Sequence, residues 1–331
     1  MAGRRQKKSG RRSYAWRYRG RIVACVFVEV IIICALVIMI GWNKGVKEWF
    51  EQFEQPVLKE VDISGINSPN AILMQARGGK ILGEINGEAQ IYPASMTKIM
   101  TVILGIENFD NLDEKITLTD EMFAGLYEQD ATRAGFQPGE EVRVIDLLYG
   151  AMLPSGAECC IALADTISGS EADFAELMNK KARKLGMENT HFCDSTGLHN
   201  PDHYSTVKDI AVLMKYCIKN DTFREIVETS RHSTGVTNIH PDGITYYSTM
   251  FKNLSDPTVT GGKILGGKTG YTSEAGHCLV SFAEIEGREY IFVSAGASGA
   301  DGNTIPHIQD AVTVYNRVGA AIEAKMNDNN K

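Results

Sequence analysis

Three short strings of reactive residue types, far apart along the chain, most constrain how these 331 residues can fold. In chain order they are Ser95-Met96-Thr97-Lys98, Ser155-Gly156 and Lys268-Thr269-Gly270. On a helix, a serine and a lysine three residues apart share one face, with their Cβ atoms roughly 5–6 Å apart, so the amine can take the hydroxyl's proton. A fold that uses all three strings must bring three distant parts of the chain to one site.

The chain also holds a second copy of each outer string. Ser205-Thr206-Val207-Lys208 repeats the S-x-x-K spacing, and Lys8-Ser9-Gly10 resembles the K-T-G string. Ser205, however, opens an apolar pattern with helical spacing and has Asp209 in its first turn, which is typical of an N-cap residue. Lys8 lies in a basic tail that an apolar segment separates from the other strings. Order and context therefore favour Ser95 and Lys268.

The N-terminal segment predicts a membrane anchor. Residues 1–21 contain nine Lys or Arg and no acidic residue, and an apolar run from Ile22 to Trp42 with the single acid Glu29 follows. The run is about long enough to cross a bilayer. A cleaved signal peptide is the alternative, but the run is longer than an ordinary h-region and no A-x-A-like site follows it. We therefore predict an uncleaved single-pass anchor with a cytoplasmic tail and an extracytoplasmic remainder.

Charge and cysteine usage exclude several kinds of partner. Without the tail, 25 basic residues face 41 acidic ones, a net charge of −16 that argues against nucleic acid. The five cysteines after the apolar run are odd in number and contain no C-x-x-C pair, so we expect small buried apolar side chains rather than disulfides or zinc ligands. His191, His199 and His203 are better explained as structural hydrogen-bonding residues, because Asn200-Pro201 places a turn between the last two. We expect neither a metal ion nor another cofactor.

Apolar periodicity predicts an α+β fold. Two apolar runs between Ala71 and Ile85 flank Gly78-Gly79 and indicate a hairpin, and few periodic signals occur between Asp221 and Asp256. The predicted helices are the segment that follows Ser95, Asp146–Met152, Ala157–Ile167, Glu171–Leu185 and Asp310–Ala324. The predicted strands near the C-terminus are Lys263–Tyr271, His277–Ile285 and Tyr290–Ala295. This order suggests one antiparallel sheet built from both chain ends and flanked by helices, a mainly helical lobe, and a site at the seam between them.

The three strings lie within longer stretches that resemble one enzyme family. These stretches are Pro93–Thr101, Leu153–Gly156, Thr190–Phe192, Gly197–Pro201 and His203–Thr206. Over roughly residues 60–320 the chain resembles the low-molecular-mass D-alanyl-D-alanine carboxypeptidases, penicillin-binding proteins of the S11 peptidase family. The resemblance implies a β-lactamase/transpeptidase-like fold and a bacterial cell-membrane enzyme. It further implies removal of the terminal D-alanine from peptidoglycan stem peptides ending in D-Ala-D-Ala, and acylation by β-lactam antibiotics.

The resemblance and the residue types together assign roles. The catalytic candidates are Ser95, Lys98 and Ser155, and the substrate-binding candidates are Lys268, Thr269, Gly270 and Tyr271. Ser95 is the expected nucleophile, and Lys98 must be neutral to accept its proton, through burial or through the neighbouring cation Lys268. Ser155 is expected to relay a proton to the leaving amine, and Lys268 and Thr269 to hold the terminal carboxylate. The family pattern places the oxyanion hole at the backbone N–H groups of Ser95 and Tyr271.

One position departs from the family pattern. Ala157 stands where the family has Asn, a change that weakens binding, shifts specificity or inactivates the enzyme. Either the neighbouring Glu158 compensates, or it is an ordinary first-turn carboxylate favoured by the helix dipole. The alternative functions are a catalytically weakened penicillin-binding or wall-sensing protein and a β-lactamase-like hydrolase. The absence of an E-x-x-L-N string argues against a class A β-lactamase.

The predicted organisation therefore has five segments. They are a basic cytoplasmic tail (1–21), a transmembrane anchor (22–42), a juxtamembrane linker (43–60), a transpeptidase-like DD-peptidase domain (61–325) and a polar tail (326–331).

Overall fold

The structure, a computed structural model, describes residues 58–254, 256–299 and 305–329, together with the single residue Val30. The predicted basic tail, the anchor except for Val30, and the linker up to residue 57 lie outside the described residues. Within the described ranges, no helix is both long enough and apolar enough to cross a membrane.

A six-stranded antiparallel sheet forms the centre of the fold, in the order β2-β1-β10-β9-β8-β7. Its strands are β1 (Asn70–Gln75), β2 (Ile81–Ile85), β7 (Thr258–Val259), β8 (Gly262–Thr272), β9 (Gly276–Ile285) and β10 (Arg288–Ala297). Two small antiparallel pairs lie between them in sequence, β3 (Lys115–Thr117) with β4 (Glu141–Arg143) and β5 (Arg231–Ser233) with β6 (Thr245–Tyr247). The sheet joins β1 and β2 to β10, so both ends of the chain build it, as the sequence predicts.

The helices fill the middle of the chain and close its end. They are α1 (Lys98–Asn108), α2 (Val144–Met152), α3 (Ala157–Ser168), α4 (Glu171–Leu185), α5 (Val207–Cys217), α6 (Asp221–Glu228), α7 (Thr249–Asn253) and α8 (Pro306–Asn329). The bounds of α4 match the prediction because both of its ends are encoded locally. Ser170 accepts the N–H of Asp173 at the start, and Gly186 ends the helix with a φ of 79°.

The sheet is buried on both faces. Alternate strand residues point to opposite sides, so that Ile72 packs with the helical lobe while Leu73 packs with α8. The same alternation places Val293 and Phe292 in the two separate apolar clusters. Two covered faces explain why these strands have near-continuous apolar sequences.

Two local predictions are corrected. The stretch after Asp221 contains helix α6, which buries Phe223, Ile226 and Val227, an i, i+3, i+4 pattern only two turns long. The N-cap of α5 is Thr206 rather than Ser205, because the Thr206 hydroxyl accepts the N–H of Asp209 at 3.0 Å.

Candidate active site

Ser95 and Lys98 face each other at the start of α1. A short 3-10 helix, Ala94–Thr97, precedes the α-helix, and Ala94 enters it with a φ of 47°. The Lys98 amine lies 3.0 Å from the Ser95 hydroxyl and donates a second hydrogen bond to the Thr196 carbonyl at 2.6 Å. The spacing of the two residues therefore produces the predicted contact, although the first turn is 3-10 rather than α-helical.

Burial favours a neutral Lys98. Desolvation of this buried amine lowers its pKa, against opposing contributions from Cys160 and Asp194. For Lys268, burial is again the main cause of a lowered pKa, and the charge of Lys98 lowers it further. Burial, one of the two causes considered from the sequence, is thus the main reason for a neutral Lys98.

A second serine–lysine pair lies across the cleft. Ser155 occupies the turn between α2 and α3 with a φ of 72°, a conformation that a non-glycine residue rarely adopts. The amine of Lys268, on β8, lies 3.0 Å from the Ser155 hydroxyl and 2.9 Å from the Thr269 carbonyl. Only 1% of Lys268 is exposed, so its amine lies behind the cleft surface and contacts the Ser155 hydroxyl there.

Gly270 brings β8 against the nucleophile. A Cβ atom built at this position would lie 3.0 Å from the Ser95 nitrogen and 3.1 Å from the Ala94 Cβ. A side chain at this position would therefore force the strand or the turn to move by a few tenths of an ångström. Tyr271 follows on the strand with 61% of its surface exposed.

Six of the seven predicted site residues line two adjoining cavities, and the seventh, Lys268, is buried behind them. The first, about 570 Å³, is lined by Ser95, Ser155 and residues 269–271, and the second, about 290 Å³, by Ser95, Lys98 and Tyr271. Lys268 reaches the first through Ser155. A larger cavity of about 830 Å³ adjoins both but contains none of the seven.

Several cleft residues are not predicted from the sequence. Asp130 and Thr132, from the loop between β3 and β4, line both cavities. Thr249 lies in a segment without periodic signals, and its hydroxyl is 2.7 Å from that of Thr269. These residues reach the cleft through tertiary packing and belong to no motif, so only the folded structure reveals them.

Two stacked histidines complete the first cavity. His277 and His307 have ring centroids 5.0 Å apart and an interplanar angle of 6°. Burial, with the charge of His277, lowers the pKa of His307 to about 4, so its ring is neutral near pH 7. Its Nδ1 atom is buried without a hydrogen-bond partner among the described residues.

Asp194 fixes the loop whose Thr196 carbonyl accepts a hydrogen bond from Lys98. Burial raises the pKa of Asp194, but hydrogen bonds from His203 and Thr196 outweigh this effect and bring the pKa to about 2. His203 bridges the Asp194 carboxylate at 3.0 Å and the Thr97 hydroxyl at 2.9 Å. This chain of contacts fixes the Thr196 carbonyl that accepts from Lys98.

The other two histidines considered as metal ligands, His191 and His199, also contact neighbouring residues. His191 contacts the Asp202 carbonyl at 2.6 Å, and His199 packs edge-on against Tyr92. In the described part of the chain, no group of three or more His, Cys, Asp or Glu side chains is arranged to hold a metal ion. The hydrogen bond supports the structural interpretation of His191, whereas His199 lines the second cavity.

The competing S-x-x-K string has a different environment. The Ser205 hydroxyl lies 2.8 Å from that of Thr190, and Lys208 pairs with Glu88. Ser205 lines neither of the two cavities. The structure therefore separates this string from the cleft.

Sequence comparison supports the family resemblance. The sequence model of the peptidase S11 family, described as D-alanyl-D-alanine carboxypeptidase, matches residues 57–299. D-alanyl-D-alanine carboxypeptidase DacF of Bacillus subtilis is 35% identical over 233 residues, which cover 69% of this chain and 57% of the relative. DacC of Escherichia coli is 33% identical over 261 residues, which cover 72% of this chain and 58% of the relative. The chain therefore spans little more than half the length of these relatives.

Solved structures share the fold. The crystal structure of the Streptomyces K15 DD-transpeptidase superposes with a TM-score of 0.69 at 30% identity, covering 79% of this chain and 100% of that one. A D-alanyl-D-alanine carboxypeptidase from Mycobacterium tuberculosis has the same TM-score at 21% identity, over 80% of this chain and 96% of that one, a likeness of fold alone. The predicted α+β transpeptidase-like fold is confirmed for the described residues. Because the family model covers most of the sequence, this chain belongs to the S11 family of D-alanyl-D-alanine carboxypeptidases.

Proposed function

We propose that this chain is a serine D-alanyl-D-alanine carboxypeptidase that removes the terminal D-alanine from peptidoglycan stem peptides. The observation that supports this most directly is the pair of serine–lysine contacts, Ser95 with Lys98 and Ser155 with Lys268, which meet at one cleft. Family membership favours the same activity.

In the proposed acylation step, the Ser95 oxygen attacks the carbonyl carbon of the penultimate D-alanine. The neutral amine of Lys98 takes the hydroxyl proton, because burial disfavours its charged form. Ser155 relays the proton taken by Lys98 to the nitrogen of the leaving D-alanine as the C–N bond breaks, which leaves Lys98 neutral again. Water then hydrolyses the ester on Ser95 and releases the shortened peptide.

Substrate binding is assigned to the opposite wall of the cleft. A carboxylate bound beside Lys268 favours the charged form of its amine, which then attracts the carboxylate. The Thr269 hydroxyl, held by Thr249, hydrogen-bonds to the same carboxylate. The backbone N–H groups of Ser95 and Tyr271 are the proposed oxyanion donors, and Gly270 permits the close approach of the two segments. A β-lactam presents a carbonyl and a carboxylate in a similar relation, so we propose that penicillin acylates Ser95.

The proposed location is the outer face of a bacterial cell membrane. This part of the proposal rests on the nine basic residues before the apolar run at 22–42 and on the peptidoglycan substrate. The transpeptidase-like domain would then begin near residue 61, beyond the linker.

The test measures D-alanine release from a diacetyl-lysyl-D-alanyl-D-alanine peptide by the full chain, with fluorescent penicillin in parallel. We expect release that penicillin blocks, loss of both activities in Ser95→Ala, and retention of both in the matched control Ser205→Ala. Labelling without release would instead indicate a transpeptidase or a silent penicillin-binding protein, and retained labelling in Ser95→Ala would exclude Ser95 as nucleophile.

A further inference from the structure

Glu158 is a buried carboxylate beside the cleft that the proposed mechanism does not use. It lies in the first turn of α3 with no exposed surface. Its Oε1 atom accepts the backbone N–H groups of Ala134 at 2.7 Å and Gly135 at 2.9 Å. Its Oε2 atom is buried without a hydrogen-bond partner in the described part of the chain. All of its observed hydrogen bonds from other segments therefore come from one loop.

That loop forms a wall of the cleft. Asp130 and Thr132 line both site cavities, and the Thr132 carbonyl accepts the N–H of Ala157 at 2.8 Å. At Gly156, the residue before Ala157, an added Cβ atom would lie only 2.7 Å from the Ala134 Cβ. The loop and the Ser155-Gly156 turn are thus in direct contact, and Glu158 connects them.

The geometry also decides between the two interpretations of Glu158 left open by the sequence. Glu158 lines neither cavity, so it does not replace the missing Asn side chain by touching the substrate. It is in the first turn of a helix, as the dipole interpretation requires, but it also has specific partners outside that helix. Ala157 contributes a hydrogen bond from its backbone only, because its side chain is a methyl group.

We propose that Glu158 is a positioning residue for the DD-peptidase reaction: by accepting two loop N–H groups, it holds the wall at residues 130–132 at the correct distance from Ser95 and Ser155. The proposal rests on the proposed function, since it concerns how that substrate is oriented. The wall borders both cavities beside Ser95, where the proposed substrate binds, so a displaced wall should weaken binding more than it slows the chemical step.

Two substitutions separate hydrogen-bond acceptance from other roles. In Glu158→Gln the amide oxygen still accepts both N–H groups, whereas Glu158→Ala leaves both buried donors without a partner. We expect Glu158→Gln to keep kcat/KM within about threefold of the wild-type value and Glu158→Ala to lower it at least about tenfold, mainly through KM. Glu158→Asp, which is one methylene shorter, should fall between them and serves if the alanine variant does not fold.

Asp209 provides a matched control. It is also buried and accepts a backbone N–H, that of Asn189 at 2.9 Å, but the segment that it holds, Asn189 and Thr190, lines neither cavity. Asp209→Ala should lower Tm without changing KM. A wild-type KM in a folded Glu158→Ala or Glu158→Asp, or an equal loss in Glu158→Gln and Glu158→Ala, would overturn the proposal.

The outcome is distinguishable from failure of the proposed function. Wild-type release of D-alanine tests the function by itself. If the wild type releases none, the apparent affinity of the same variants for penicillin is measured from the concentration dependence of acylation. An affinity that falls from Glu158→Gln through Glu158→Asp to Glu158→Ala supports the positioning role, and equal affinities overturn it.

Discussion

Replacing Gly270 with alanine should slow acylation without unfolding the protein. The new Cβ would lie 3.0 Å from the Ser95 nitrogen, 3.1 Å from the Ala94 Cβ and 3.2 Å from the Pro93 carbonyl oxygen. Ordinary van der Waals contact begins near 3.4 Å, so the strand or the turn must move by about 0.4 Å. A misplacement of about 1 Å costs roughly 100-fold in rate, so about 0.4 Å should cost about sixfold, or about 1 kcal/mol of activation free energy.

The same substitution should lower the free energy of unfolding by at most about 2.5 kcal/mol. Overpacking costs about 1–3 kcal/mol, and replacing glycine by alanine within a strand recovers about 0.5–1 kcal/mol. The assay is the rate of acylation by fluorescent penicillin, measured with Tm. Gly235→Ala is the control, because its Cβ would meet its nearest neighbour, Arg143, at an ordinary 3.4 Å. Wild-type acylation in Gly270→Ala would show that the close approach to Ser95 does not position the nucleophile.

Three further predictions follow from the titratable groups. Because burial lowers the pKa of Lys98, the rate of penicillin acylation should rise with pH as this amine loses its proton, with a midpoint below 10.5. A midpoint at 10.5 would contradict a buried neutral base. Lys98→Ala should reduce acylation at neutral pH by at least about 100-fold, and a normal rate would exclude Lys98 as the base. Asp194 has a pKa lowered from 3.8 to about 2, so its stabilisation is present above pH 3.8 and is lost as pH falls through about 2. Asp194→Asn should therefore lose about 2 kcal/mol of unfolding free energy at pH 7, measured by urea denaturation, and an equal acid dependence in both proteins would refute this.

The sequence predicted those features that depend on local contacts. The ends of α4 follow from Ser170 and Gly186, and the contact between Ser95 and Lys98 follows from their spacing. The long strands β9 and β10 are recognisable because both faces of the sheet are covered and their apolar runs are continuous.

The features that the sequence did not predict depend on tertiary contacts. Thr132 reaches the cleft because Glu158 and the backbone of Ala157 hold its loop, and no spacing rule connects these residues. Thr249 is placed by the packing of α7 beside β8. Helix α6 was missed because its apolar pattern spans only two turns, which is too short to distinguish from a loop.

The most direct test of the account is to identify the acylated residue. The full chain is incubated with penicillin, digested and mapped by mass spectrometry, while D-alanine release is measured on the same sample. We expect one penicilloyl adduct, on Ser95, that forms in proportion to the loss of D-alanine release. An adduct on Ser155 or Ser205, or penicillin-resistant D-alanine release without any adduct, would contradict it.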